Sequence, residues 1–266
     1  MSTIGWIIVG VVLLALVGFL VRFFTNPYFV GRVLRFVFHL HYQVTLDGLE
    51  RVMNAPSFLI MPNHPAYIDP VILFSELYSR GRKVSPMTDE KFFRNPAYRQ
   101  VLSLGDAVVV PDMMKNRSAE AVNQASHLVQ IAVDALTQGR SLVFYPSGHV
   151  TLDGAESIGN RRMAYETMCA INASPEDSPL RRVRVFLLRT RGLETSRWSK
   201  SRRKLVNEQG RVRTDVLPWP VQCPKWYQRR KVVMHFEDMT ETLCQWAAAN
   251  DKRAFNQLLE NWYNVG

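Results

Sequence analysis

An α/β fold with an apolar N-terminal anchor is what the pattern of this 266-residue chain predicts. Three observations carry the prediction. Short apolar runs at residues 58–61, 104–110, 141–145, 183–188 and 231–236 read as buried strands. Stretches of helical period at residues 70–78, 118–138 and 161–173 alternate with them. An apolar run without a charge, residues 4–21, precedes them all. The length allows one large domain plus an anchor. A hydrophobic fraction of 47% is ordinary for a globular protein and excludes a polytopic membrane protein.

The elements follow in order. Residues 4–21 extend to Phe24 across Arg22, and about twenty such residues span the hydrocarbon core as a helix. A secretory signal peptide needs a basic start and a small-residue cleavage site, and neither follows Met1-Ser2-Thr3. A retained, single-pass anchor over residues 1–25 is the expectation. Arg22, Arg32 and Arg35 follow the span and no Lys or Arg precedes it, which places the body of the protein in the cytoplasm. Residues 26–40 carry Tyr28, Phe29, Val30, Val33, Leu34, Phe36, Val37 and Phe38, broken by Arg32 and Arg35. That pattern fits a helix lying in the membrane interface and fits a core helix equally well. Residues 42–46 alternate like a strand closed by Asp47-Gly48, so a strand-turn-strand leads to residues 58–61.

That buried strand ends at Pro62, and Asn63-His64-Pro65-Ala66-Tyr67-Ile68-Asp69-Pro70 follows. An imidazole acting as a base needs a group to orient it, because one ring nitrogen must accept while the other donates. Asp69, five positions after His64, supplies one if the turn folds back. The plainer alternative is a surface histidine and an aspartate capping the helix at 70–78. Residues 85–88 are a short strand or loop, and residues 91–96 mix aromatic and basic groups. The strand at 104–110 is entered by Gly105 and closed by Pro111, with Lys115 and Arg117 after it. Residues 118–138 are an amphipathic helix with Ser118 as cap and Gly139 as stop. The strand at 141–145 is followed by Pro146-Ser147-Gly148-His149, which is at least a tight turn. A helix at 161–173, a loop at 174–179, a strand at 183–188, a strand at 231–236 and one closing amphipathic helix over 240–262 complete the chain.

Net charge is +10. Residues 181–213 hold twelve Lys or Arg against Glu194 and Glu208, an excess equal to that of the whole chain. Such a patch suits a polyanionic partner: an anionic membrane, a phosphate-bearing substrate or nucleic acid. Cys169, Cys223 and Cys244 show neither a pairing pattern nor metal-ligand spacing, which fits a reducing compartment and no metal.

Asn63, His64 and Asp69 resemble the N-H-x-x-x-x-D motif of the glycerolipid acyltransferases, which acylate glycerol phosphate and lysophospholipids, and the likeness spans about residues 40–240. It implies a glycerol-3-phosphate acyltransferase-like fold: a mixed central sheet flanked by helices, forming the acyltransferase domain at 41–266, with residues 26–40 as an interfacial helix. It implies that His64 is the general base, that Asp69 holds its tautomer, and that Asn63 lies in the substrate site. Two departures stand out. Pro111 occupies the place of the family's phosphate-binding Arg, leaving Lys115 and Arg117 as candidates. Ser147 replaces the Glu of a Phe-Pro-Glu-Gly motif that Pro146 and Gly148 otherwise match. A different head group, or a nearby acid such as Glu156, would compensate, with His149 as a second polar contact.

The activity implied is transfer of a fatty acyl group from an acyl thioester to the free hydroxyl of a lysophospholipid, lysophosphatidic acid or similar. The co-substrate is acyl-CoA or an acyl carrier protein, with no other cofactor, and membrane lipids are the partners. No G-x-S-x-G elbow is present, which favours direct transfer over an acyl-enzyme. The alternatives are the same chemistry on lysophosphatidylethanolamine or an amino-acid lyso-lipid, or a non-catalytic membrane module that binds through residues 181–213. That stretch lacks the aromatic-basic interleaving of a single-strand binder, so no nucleic-acid partner is expected.

Overall fold

The computed structural model describes residues 3–110, 120–151, 154–194, 196, 198–200 and 229–265. Two helices open the chain, α1 (Thr3–Thr25) and α2 (Pro27–His41), joined at Asn26, whose side chain accepts from the Tyr28 and Phe29 amides at 3.0 Å. Then come β1 (Tyr42–Asp47), α3 (Leu49–Asn54), β2 (Phe58–Pro62), α4 (Asp69–Ser79) and β3 (Ser85–Asp89). The short helices α5 (Glu90–Phe93) and α6 (Pro96–Leu104) lead to β4 (Val108–Val110), α7 (Glu120–Thr137) and β5 (Leu142–Val143). The chain closes with α8 (Met163–Ala173), β6 (Arg184–Arg191), β7 (Arg230–Asp238), α9 (Thr240–Ala248) and α10 (Lys252–Asn264).

The seven strands form one mixed sheet in the order β1-β7-β6-β2-β5-β3-β4. Every neighbouring pair is parallel except β6 and β7. Helices cover both faces, which explains the unbroken apolar run of β2: a strand buried on two sides has no solvent face to alternate with. Leu59 and Met61 face a core with α7, α8, α9 and α10, while Phe58 and Ile60 face a second core with α3 and α4.

Several local expectations change. The turn foreseen between residues 46 and 58 contains α3, and β1 pairs with β7 at the sheet edge instead of running to β2. Gly48 sits at φ 75° with the Phe236 carbonyl where a Cβ would lie, so that crossing requires glycine. The single closing helix is two helices, broken where Asn250 takes φ 55° and the Asp251 side chain caps the Ala254 amide at 3.0 Å. Asp69 starts α4 but does not cap it; Ile68 is the cap residue, without a side-chain bond. The Ser118 cap, Cys223 and residues 201–213 of the basic stretch lie outside the described residues.

Helix α1 is exposed along its length, Leu14 at 75%, and its residues Gly5–Thr25 are long and apolar enough to cross a membrane. Helix α2 has one packed face and one exposed face. One face packs on α4, with Gly31 so close that a Cβ would fall 2.5 Å from that of Tyr78. The other face leaves Phe36, Val37 and Leu40 exposed.

Candidate active site

The site stands at the carboxyl ends of the neighbouring parallel strands β2, β5 and β6. Asn63 closes the loop after β2 onto β6. Its backbone amide donates to the Leu188 carbonyl at 3.0 Å, its side-chain amide donates to the Thr190 carbonyl at 3.1 Å, and its side-chain oxygen accepts the Thr190 amide at 2.7 Å. The side chain is buried and both its ends are engaged by main chain, so Asn63 clamps the loop that carries His64.

The turn does fold back. His64 Nδ1 lies 3.0 Å from Asp69 Oδ2, with the two side chains 15% and 2% exposed. Asp69 Oδ2 also accepts the Ala66 amide at 3.3 Å, and its Oδ1 accepts the Tyr145 hydroxyl at 2.8 Å. A carboxylate beside Nδ1 keeps the proton on that nitrogen and leaves Nε2 with its lone pair. The Tyr145 ring lies against the imidazole, centroids 4.2 Å apart. Burial, and then the Asp69 charge, raise the Tyr145 hydroxyl well above its ordinary pKa, so it stays a neutral donor. Tyr145 was legible only as a strand residue, because its task depends on a contact 76 positions away.

The main chain of His64 is fixed from the other side. Its amide donates to Glu156 Oε2 at 3.0 Å and its carbonyl accepts the Thr151 amide at 2.9 Å. Glu156 is 3% exposed, and burial pushes its carboxyl up, against the Ser147 hydroxyl, the His64 amide and the His64 ring. The foreseen proximity of Glu156 to Ser147 is thus present. The buried Ser147 hydroxyl donates to the His149 carbonyl at 3.2 Å and is close enough to the Glu156 carboxyl to favour its charged form.

Pro146 is buried in the turn, and Gly148 closes it at φ 64° with its amide on the Tyr145 carbonyl at 2.9 Å. His149 Nδ1 donates to the Ser147 carbonyl at 2.8 Å, so that nitrogen is spent inside the turn. Arg161 brings a guanidinium to the same place, 3.5 Å from where a Gly148 Cβ would sit, a neighbour that sequence spacing did not suggest. Lys115 and Arg117 lie outside the described residues. Among the described residues, no group of three or more His, Cys, Asp or Glu is placed to hold a metal ion.

A buried carboxylate orienting a largely covered imidazole at a strand end is an arrangement that can serve general-base chemistry. The family model described as Acyltransferase matches residues 43–173, which include the His64–Asp69 loop and the turn at Ser147. Residues 43–173 are an acyltransferase-family domain. Among solved structures, this acyltransferase is similar to the 1-acyl-sn-glycerophosphate (LPA) acyltransferase PlsC from Thermotoga maritima. Identity is 14%, coverage is 87% of this chain and 80% of that one, and the TM-score is 0.47.

Proposed function

We propose that this acyltransferase is anchored in a membrane by α1 and moves a fatty acyl group from an acyl thioester to the free hydroxyl of a lysophospholipid. The observation that carries the reading is the ordered set Tyr145–Asp69–His64, in which one imidazole nitrogen is committed to a buried carboxylate and the other is left to accept. The acceptor hydroxyl gives its proton to His64 Nε2 as its oxygen attacks the thioester carbonyl. The new C–O bond forms, the tetrahedral intermediate collapses, the C–S bond breaks, and the imidazolium returns the proton to the thiolate. Asp69 stabilises the imidazolium through that interval, as in a serine hydrolase pair whose nucleophile is the substrate itself.

The exposed apolar surface of α1, and of α2 beside it, supports placing the domain against the bilayer from which a lyso-lipid is drawn. Arginines 22, 32 and 35 favour the cytoplasmic side. The donor is acyl-CoA or an acyl carrier protein, and no further cofactor is needed for a transfer between oxygen and sulfur. Ser147, a short neutral side chain turned inward, favours acceptors beyond lysophosphatidic acid, among them lysophosphatidylethanolamine and amino-acid lyso-lipids.

Detergent-purified protein with a labelled acyl thioester and a panel of lysophospholipids tests this. Wild-type transfer with its loss in His64→Ala, about a hundredfold or more, is expected. An active His64→Ala variant rejects the base. Transfer by neither protein with any donor and acceptor rejects the reading and leaves the basic stretch, as a binding module, to be tested.

A further inference from the structure

Glu156 is an expensive residue to place where it is. A buried carboxylate costs stability unless its lone pairs are filled. Oε2 accepts the His64 amide at 3.0 Å. Oε1 is buried and has no hydrogen-bond partner among the described residues. Accepting one backbone amide does not require an acid, because a glutamine oxygen would serve.

The loop that carries Glu156 is held by one face of α10. Asn264 bonds both main-chain groups of Glu156, its Oδ1 accepting the amide at 2.8 Å and its Nδ2 donating to the carbonyl at 2.9 Å. The Glu260 carboxylate accepts the Ile158 and Gly159 amides at 2.6 and 2.8 Å. Asn256 Nδ2 donates to the Gly159 and Arg161 carbonyls, both at 2.8 Å. Positions 256, 260 and 264 repeat every four residues, so they form one stripe along the helix. From the same helix, the Tyr263 hydroxyl donates to the Met61 carbonyl at 2.7 Å, on the strand that ends at the His64 loop. One helix therefore fixes both the strand that delivers His64 and the loop that delivers Glu156.

We propose that Glu156 is a positioning residue for His64: it locks the histidine's main chain and holds a second carboxylate at the base of that residue, next to the β5 turn that Ser147 leaves without an acid. This rests on His64 acting as the base. Asp69 then meets the imidazolium at Nδ1 and Glu156 acts on it from the histidine's own amide. In a site of low effective dielectric, each charge favours the protonated ring formed in the transition state over the neutral ring before it.

The test uses the full-length protein and three variants, with kcat, KM for both substrates and melting temperature measured for each. Glu156→Gln keeps an oxygen for the His64 amide and removes the charge. We expect kcat to fall by up to about a hundredfold with KM near that of the wild type. The melting temperature should be equal or higher, since a buried charge has gone. A residue of purely structural value would give the reverse: a lower melting temperature and unchanged kcat. Ser147→Glu in the Glu156→Gln background returns an acid from the neighbouring position and should recover at least half of the lost logarithm of kcat. If Glu156→Gln melts lower, this double variant decides: recovery of kcat supports the proposal and continued loss overturns it. Wild-type kcat in Glu156→Gln beside an inactive His64→Ala overturns the role of Glu156 and leaves the acyltransferase reading intact. An inactive wild type removes both.

Discussion

At the scale of single residues, the site is a chain of oriented groups in which each member is fixed by the next. Tyr145 donates to Asp69, Asp69 orients His64, and the imidazole lies on the Tyr145 ring, so the tyrosine touches both partners. Removing its hydroxyl leaves the ring contact in place and takes one hydrogen bond from a buried carboxylate. Tyr145→Phe is therefore expected to fold, to lose about 1–2 kcal/mol of stability, and to lower kcat by about tenfold. Urea denaturation and steady-state acyl transfer check the two effects separately. A variant with full activity would show that Asp69 needs no second support.

At the scale of elements, the junction of α2 with α4 is built to be sensitive to acid. Glu76 is buried on α4 and receives Arg35 at 3.1 Å, His39 at 2.6 Å and Arg80. Burial alone would raise its carboxyl. Hydrogen bonds from His39 and Arg80 and the charges of Arg80 and Arg35 outweigh burial and hold it below its ordinary value of 4.5. A carboxylate depressed in the folded state gives stability that is present above its unfolded value and is lost as pH falls through the folded one. The wild type should thus lose this contribution progressively below about pH 4.5, and Glu76→Gln should lack it at every pH. Because Arg35 and Arg80 are partly solvated, the loss at neutral pH is set at about 1–2 kcal/mol. Urea midpoints from pH 3 to pH 7 for the two proteins measure it. Parallel curves would mean that the cluster is electrostatically idle.

At the scale of the whole molecule, three layers around one mixed sheet carry an exposed apolar helix at one end. Helix α1 touches α2 and α6, including a bond from the Gln100 side chain to the Phe24 carbonyl at 2.8 Å, but contributes no buried residue to either core. Deleting residues 1–25 should therefore leave the thermal transition of the domain nearly unchanged while sharply reducing flotation with phospholipid vesicles. Retained flotation would assign membrane attachment to the apolar face of α2 and the basic stretch. Collapse of the thermal transition would assign α1 a folding role.

The sequence by itself determined the fold class, most strand and helix positions, the apolar anchor candidate and the nearness of His64 to Asp69, which the folded turn closed into a contact. All of these rest on short-range causes: side-chain period, turn residues, and a separation of five positions between His64 and Asp69 on a proline-bracketed turn. The strand at 42–46 was legible, yet its neighbour was not, since β1 reaches β7 across nearly 190 positions. The break at Asn250-Asp251 was written in capping residues, although the helical period runs through it. What only the tertiary structure decided is the surroundings of the histidine. Tyr145 and Glu156 meet His64 and Asp69 from 76 and 92 positions away, and the Asn264 clamp on Glu156 spans 108. Such contacts leave no periodic trace, because a hydrogen bond between distant segments constrains one side chain on each and nothing in between.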